Sequence, residues 1–238
     1  MPTLPEYATS CSDTLVMSLG GSTLFPPEHP ELDVPFFLEL KQFLTEQIRS
    51  DRTVIGVIGG GDIARRRQQA ARRAGVSDQK AIDTYGIHVT RHNALFVSDL
   101  LNNTGITTKK FPMRNRITPG IVYLRGGTRP GHTTDLVAIQ AAIMTGVNIV
   151  FNVSNTPGLH PYREDGSFDR SQVVPEITYR ELLPHLPEHS PGLNIPIDRE
   201  AAKLALHQGI IFILVGKNFD NLNKAICGAE FTGTVIRP

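Results

Sequence analysis

Short apolar runs alternate with stretches of helical periodicity along most of the chain, the pattern of a largely parallel sheet covered on both faces. Leu15 to Leu19 predicts a first strand that runs into Gly20-Gly21-Ser22. Asp33 is placed to cap a helix with Pro35 just inside it, and Phe36, Phe37, Leu40, Leu44 and Ile48 recur at helical spacing. Thr53 to Ile58 predicts a second strand, ending in Gly59-Gly60-Gly61. The helix after it carries Ile63, Ala64, Ala70, Ala71 and Ala74 and stops at Gly75. A further helix is expected from Arg91 to Leu101, a strand from Ile121 to Leu124, a helix from Thr133 to Thr145 and a strand from Asn148 to Val153.

The stretch from Ser154 to Leu193 is rich in proline and predicts long loops around a short helix near Tyr179 to Leu183. Regular pattern then returns, with helices at Arg199 to Gln208 and Asp220 to Ile226 and strands at Ile210 to Val215 and Gly233 to Ile236. Residues 1–12 read as a flexible extension, and 13–238 as the folded region. No internal repeat or low-complexity tract interrupts it.

Composition narrows the functional classes. The 238 residues carry 24 Lys and Arg against 23 Asp and Glu, a net charge of +1. A protein that binds nucleic acid through bulk charge is usually far more basic, so no nucleic-acid partner is expected. The two cysteines, Cys11 and Cys227, stand far apart and form no metal-ligand spacing, so no bound metal of the protein's own is expected. Neither a membrane-length apolar run nor a signal-peptide layout is present, and a cytoplasmic location is expected.

The candidate chemistry sits at the strand ends. Three β-like runs finish in glycine turns: Gly20-Gly21-Ser22, Gly59-Gly60-Gly61 and Gly126-Gly127-Thr128. In an open α/β sheet ligands bind outside the carboxyl ends of the strands, where glycine lets backbone N–H groups approach an anion. Neither a P-loop nor the GxGxxG spacing occurs. Arg65 follows the second turn by four residues and can grip phosphate oxygens with two N–H groups, whereas Arg66, Arg67, Arg72 and Arg73 read as a solvated basic face. The decapeptide Gly126 to Asp135 offers hydroxyl and carboxylate groups at a helix start, more than a turn requires.

Taken together, these segments make the chain resemble the uridylate (UMP) kinases of the amino acid kinase superfamily, particularly the archaeal-type branch. The matching stretches are SLGGS (Ser18 to Ser22), IGGGDIARR (Ile58 to Arg66), DTYGIHVTRHNA (Asp83 to Ala94), GGTRPGHTTDLVA (Gly126 to Ala138), IDREAAKLA (Ile197 to Ala205) and GTVI (Gly233 to Ile236), in the family's order. The resemblance implies a three-layer αβα sandwich, with an NMP-binding lobe at 13–150 and an ATP-binding lobe at 151–238. It also implies a homohexamer that transfers the γ-phosphoryl group of ATP, with Mg²⁺, to UMP.

By motif, Gly60, Gly61, Arg65, Asp83, Thr128, Pro130, Gly131, His132, Thr133 and Thr134 would bind UMP, with Asp83 on the ribose. Gly21, Ser22, Gly61, Arg65, Ser154, Asn155, His160 and Tyr162 would meet ATP. Asp135 and Asp198 match the acidic positions that organise the catalytic centre. Plainer roles stay open for both: Asp135 as a first-turn carboxylate and Asp198 as a helix cap.

Two departures from the family pattern bear on the mechanism. Ser18 stands where many relatives carry a lysine. Loss of one preorganised charge stabiliser costs about 10²–10³ in rate, so a substitute cation is expected, with Lys217 and Arg129 as candidates. In the ATP loop, Asn155 and Gly158 match the family, while Pro157, His160 and Arg163 replace the usual acid, tyrosine and acid. Two other readings therefore stay open. One is a related kinase with a different phosphate or carboxylate acceptor; the other is a catalytically silent oligomer that binds nucleotide or stores oxyanions.

Overall fold

The computed structural model describes residues 13–113, 117–161, 169–187 and 197–238. The extension expected at 1–12 lies outside the described residues.

Among the described residues eight strands form one sheet in the order β3-β4-β2-β1-β5-β7-β8-β6. They are β1 (Thr14–Leu19), β2 (Thr53–Ile58), β3 (Thr108–Lys110), β4 (Val122–Arg125), β5 (Ile149–Ser154), β6 (Glu176–Thr178), β7 (Ile211–Gly216) and β8 (Gly233–Arg237). From β3 to β7 every pairing is parallel; β8 runs antiparallel to β7, and β6 parallel to β8. All six residues of β2 are buried, as expected of a parallel strand covered on both faces.

The helices form the outer layers: α1 (Gly21–Leu24), α2 (Val34–Arg49), α3 (Gly61–Arg73), α4 (Gln79–Asn103), α5 (Thr134–Thr145), α6 (Tyr179–Leu182), α7 (Arg199–Gln208) and α8 (Phe219–Ile226). Strand alternation divides the core in two. Leu15, Met17 and Leu19 pack with Phe36, Leu40 and Phe43 of α2, Val97 and Leu101 of α4, and Leu222 of α8. Val16 packs on the other face with Val137 and Ile139 of α5 and Ala201 and Ala205 of α7. This is the expected αβα sandwich.

Several elements depart from the pattern reading, including β6, which lies in the stretch expected to form loops. The helix expected from Arg91 begins three turns earlier, at Gln79, with Asp78 accepting from the Lys80 N–H at 3.0 Å. Gly86 weakens the helical signal there, and it lies close to α3, where a Cβ would come within 2.6 Å of Gln68 Nε2 and displace the end of that side chain. The charged Thr108–Lys110 strand closes one edge of the sheet, where lysines discourage further pairing. The first glycine turn continues into the four-residue α1.

The topology places the site. β1 lies between β2 and β5, and the connection from β1 to β2 runs through α1 and α2 on one face. The connection from β4 to β5 runs through α5 on the opposite face. A crevice is left where the order reverses, at the carboxyl end of β1. The boundary expected at residue 150 falls within β5.

Candidate functional site

The first two glycine turns touch directly. Gly59 N–H donates to Leu19 O at 2.8 Å and Gly20 N–H to Val153 O at 2.9 Å, so β1 carries one turn beside each neighbour. A Cβ on Gly21 would sit 2.2 Å from Gly61 N, and Gly61 itself has φ +61°. No larger residue fits at Gly21 without moving backbone.

Helix α4 brings in the third turn. Thr90 Oγ1 accepts from Gly127 N–H at 2.7 Å, and Arg91 Nε donates to Gly127 O at 3.0 Å. A second Arg91 N–H reaches Thr128 O. Asn93 Nδ2, one turn on, donates to Gly59 O at 2.9 Å, so one helix holds the second and third turns together. At its N-terminal end Asp83 Oδ2 accepts from Gly131 N–H at 2.7 Å, which pins the loop before α5.

The three turns open onto one cleft of about 570 Å³, within the usual range for small-molecule sites. Gly60, Gly61, Arg65 and Asp83 line it, with His132, Thr133 and Thr134 beside them. Gly21, Ser22, Ser154, Asn155 and His160 line it too, as do Asp135 and Asp198. Arg65 Nη2 donates to Ser22 Oγ at 3.1 Å, and Asn155 Nδ2 to Ser22 O at 3.0 Å, which ties both halves of the cleft to the first turn.

The two aspartates differ in environment. Asp198 caps α7, accepting from Glu200 and Ala201 N–H at 3.0 and 2.9 Å, while its other oxygen accepts a hydrogen bond from Thr133 Oγ1. Thr133 in turn caps α5 by accepting from Leu136 N–H. Asp135 Oδ1 accepts from Ser18 Oγ and from Asn152 Nδ2, each at 2.8 Å. Burial first, and the negative charge of Asp198 second, push the Asp135 carboxyl up to about 7, against the lowering effect of these two bonds. His132 is pushed below the usual histidine range, by burial and then by Arg129, whose Nε donates to His132 Nε2 at 2.9 Å.

Comparisons with known proteins give the family. Residues 13–216 match the amino acid kinase family. The chain belongs to the amino acid kinase family. A uridylate kinase of Natronomonas pharaonis is 29% identical over 230 residues, covering 94% of this chain and 98% of that protein. One from Archaeoglobus fulgidus is 30% identical, covering 93% and 99%. A crystal structure of uridylate kinase from Archaeoglobus fulgidus superposes with a TM-score of 0.70 at 27% identity, covering 93% of this chain and 100% of that one.

Some expected residues of this amino acid kinase lie elsewhere. Lys217 Nζ is 3.2 Å from Asp33 Oδ2 and stacks over the Phe36 ring, so the structure does not bring it into the cleft. Arg129 is spent on His132, and neither it nor Thr128, Pro130 or Gly131 lines the cleft. Thr128 and Gly131 act in the loop's own bracing, through the bonds to Arg91 and Asp83. Tyr162 lies outside the described residues.

The pattern reading missed Asn152, Thr90, Arg91 and Arg170. Thr90 and Arg91 lie inside the matched DTYGIHVTRHNA stretch and face the third turn, a role that spacing alone does not disclose. Among the described residues no three His, Cys, Asp or Glu side chains form a metal-sized group. Mg²⁺ rarely needs one, since it usually keeps several waters and takes substrate phosphates with one or two carboxylates. Asp135, placed in the cleft with only Oδ1 engaged by Ser18 and Asn152, fits that demand.

Proposed function

We propose that this amino acid kinase transfers the γ-phosphoryl group of ATP to UMP, giving UDP and ADP. The observation that carries the reading is the convergence of three glycine turns and Arg65 on one cleft beside the Thr133–Asp198 and Ser18–Asp135 pairs. Uridylate kinases matched over nearly their full length support UMP as the acceptor.

In this reading 13–150 holds UMP and 151–238 holds ATP. Gly60, Gly61 and Arg65 take the UMP phosphate, and Asp83 stands at the ribose while fixing the Gly131 loop. Thr133, Thr134 and His132 close over the nucleotide. Gly21 and Ser22 meet the transferring group, and Ser154, Asn155 and His160 face the donor. A UMP oxygen forms a bond to the γ-phosphorus as the bond to the β,γ-bridging oxygen breaks, and ADP leaves with that electron pair. A phosphate monoester with its second pKa at about 6 is already an anion near neutrality, so no general base is needed. Catalysis then rests on positioning and on spreading charge to donors. Mg²⁺, when bound with ATP, neutralises phosphate charge, and Asp135 is the residue that would share it.

No helix among the described residues is long and apolar enough to cross a membrane. The implied homohexamer belongs to the same proposal. Val34 and Leu38 on α2 and Leu95 on α4, 52%, 56% and 62% exposed, supply apolar surface for such contacts, and light scattering measures the mass.

The test is ADP release by the purified chain with MgATP over a panel of acceptors. UMP is expected to turn over faster than CMP or AMP. ADP release with a non-nucleotide acceptor alone would favour the related-kinase reading, and tight UMP binding without ADP release the silent one.

A further inference from the structure

Arg170 follows a stretch with no regular pattern, and nothing in the family motifs singles it out. It lines the same cleft as the glycine turns, as does His160. Backbone on both sides of it is braced against the loop after β5. Asp169 N–H donates to Pro161 O at 2.9 Å, Val174 N–H to Leu159 O at 2.8 Å, and His160 Nδ1 lies 2.7 Å from Gln172 O. The Asp169 carboxylate accepts from Ser171 N–H and Oγ at 3.0 and 2.6 Å, closing the turn that presents Arg170. That loop is in turn tied to the first glycine turn through Asn155 and Ser22.

The charge inventory of the cleft gives this residue a task. Asp83, Asp135 and Asp198 line it, and the strand position occupied by lysine in many relatives is Ser18, which offers only a hydroxyl. Lys217 is held by Asp33 and Arg129 by His132. Arg65 is engaged with Ser22 and lies 3.9 Å from Asp62. Arg170 is the other Lys or Arg side chain lining the cleft, and among the described residues no carboxylate pairs with it. A triphosphate entering beside two aspartates needs a cation on its own side, and a guanidinium can bind phosphate oxygens through two N–H groups.

We propose that Arg170 binds the polyphosphate of the donor nucleotide, supplying from the loop after β5 the positive charge that β1 lacks. The assignment rests on the kinase reading for its substrate, but it concerns the donor only.

The experiment compares the full-length wild type with Arg170→Ala and Arg170→Lys, measuring MgATP affinity by calorimetry and KM for ATP and UMP by ADP release. Arg170→Ala is expected to weaken MgATP binding and raise KM for ATP about tenfold to a hundredfold, the scale of a hydrogen bond to a charged group. KM for UMP should stay within about twofold, and Arg170→Lys should recover part of the ATP loss. Unchanged MgATP affinity in Arg170→Ala, or a loss confined to UMP, overturns the proposal. Calorimetry separates the two claims. A wild type that binds MgATP without phosphorylating UMP contradicts the kinase reading, while the Arg170 comparison still decides this one.

Discussion

At the scale of single residues, Asp135 has the most unusual surroundings. Its Oδ1 takes hydrogen bonds from two neutral groups, Ser18 Oγ and Asn152 Nδ2, where a lysine at position 18 would have brought a charge. With burial and Asp198 acting against ionisation, the carboxyl is pushed up to about 7. The folded chain therefore binds this proton more tightly than the unfolded chain does. The resulting stabilisation is complete below the ordinary aspartate range and is lost as pH rises to about 7. Its full size is on the order of 4 kcal/mol, at one pKa unit per 1.36 kcal/mol. Urea unfolding between pH 4.5 and 7.5 should show stability falling with pH, and Asp135→Asn should remove most of that slope. An unchanged slope in the variant would show that Asp135 is not its source. The Ser18 departure was plain in the sequence, but its partner was not, because they stand 117 residues apart.

At the scale of elements, the site depends on how closely two turns and one long helix approach. Gly21 and Gly61 leave no space for a side chain between β1 and β2. Gly21→Ala should cost about 1–3 kcal/mol, as overpacking does, and should weaken UMP binding as well. Thermal unfolding with and without UMP checks both effects; a variant with wild-type stability and affinity would contradict the contact. Six of the eight strands were legible as short apolar runs, and most helices through apolar positions repeating at 3.6, whereas the three-residue strands β3 and β6 carry no such run. The first half of α4 was not legible either. Its sequence mixes polar residues, β-branched residues and Gly86, and it is tied to α3 by Gln68 Nε2, which donates to Ile82 O at 3.3 Å. That half also carries Asp83, Thr90 and Arg91, so the bracing of the third turn stayed hidden with it.

At the scale of the whole molecule, parallel strands reverse their order at β1, and the crevice there gathers groups from residue 18 to residue 198. The glycine turns announced this arrangement, since each ends a strand and strand ends share one side of a parallel sheet. The substitute cation was less legible: Lys217 lies at a strand end too, but its side chain turns to Asp33. Arg170 comes from a proline-rich loop, where periodicity says nothing about direction. The residues proposed for the acceptor thus follow family motifs closely, and those proposed for the donor contain the departures. The account stands or falls on phosphoryl transfer between them. Its most direct test is phosphorus NMR of the purified chain with ATP, Mg²⁺ and UMP. Loss of ATP and UMP signals with matching growth of UDP and ADP is predicted. Persistent ATP and UMP, or ADP appearing with inorganic phosphate but no UDP, would contradict it.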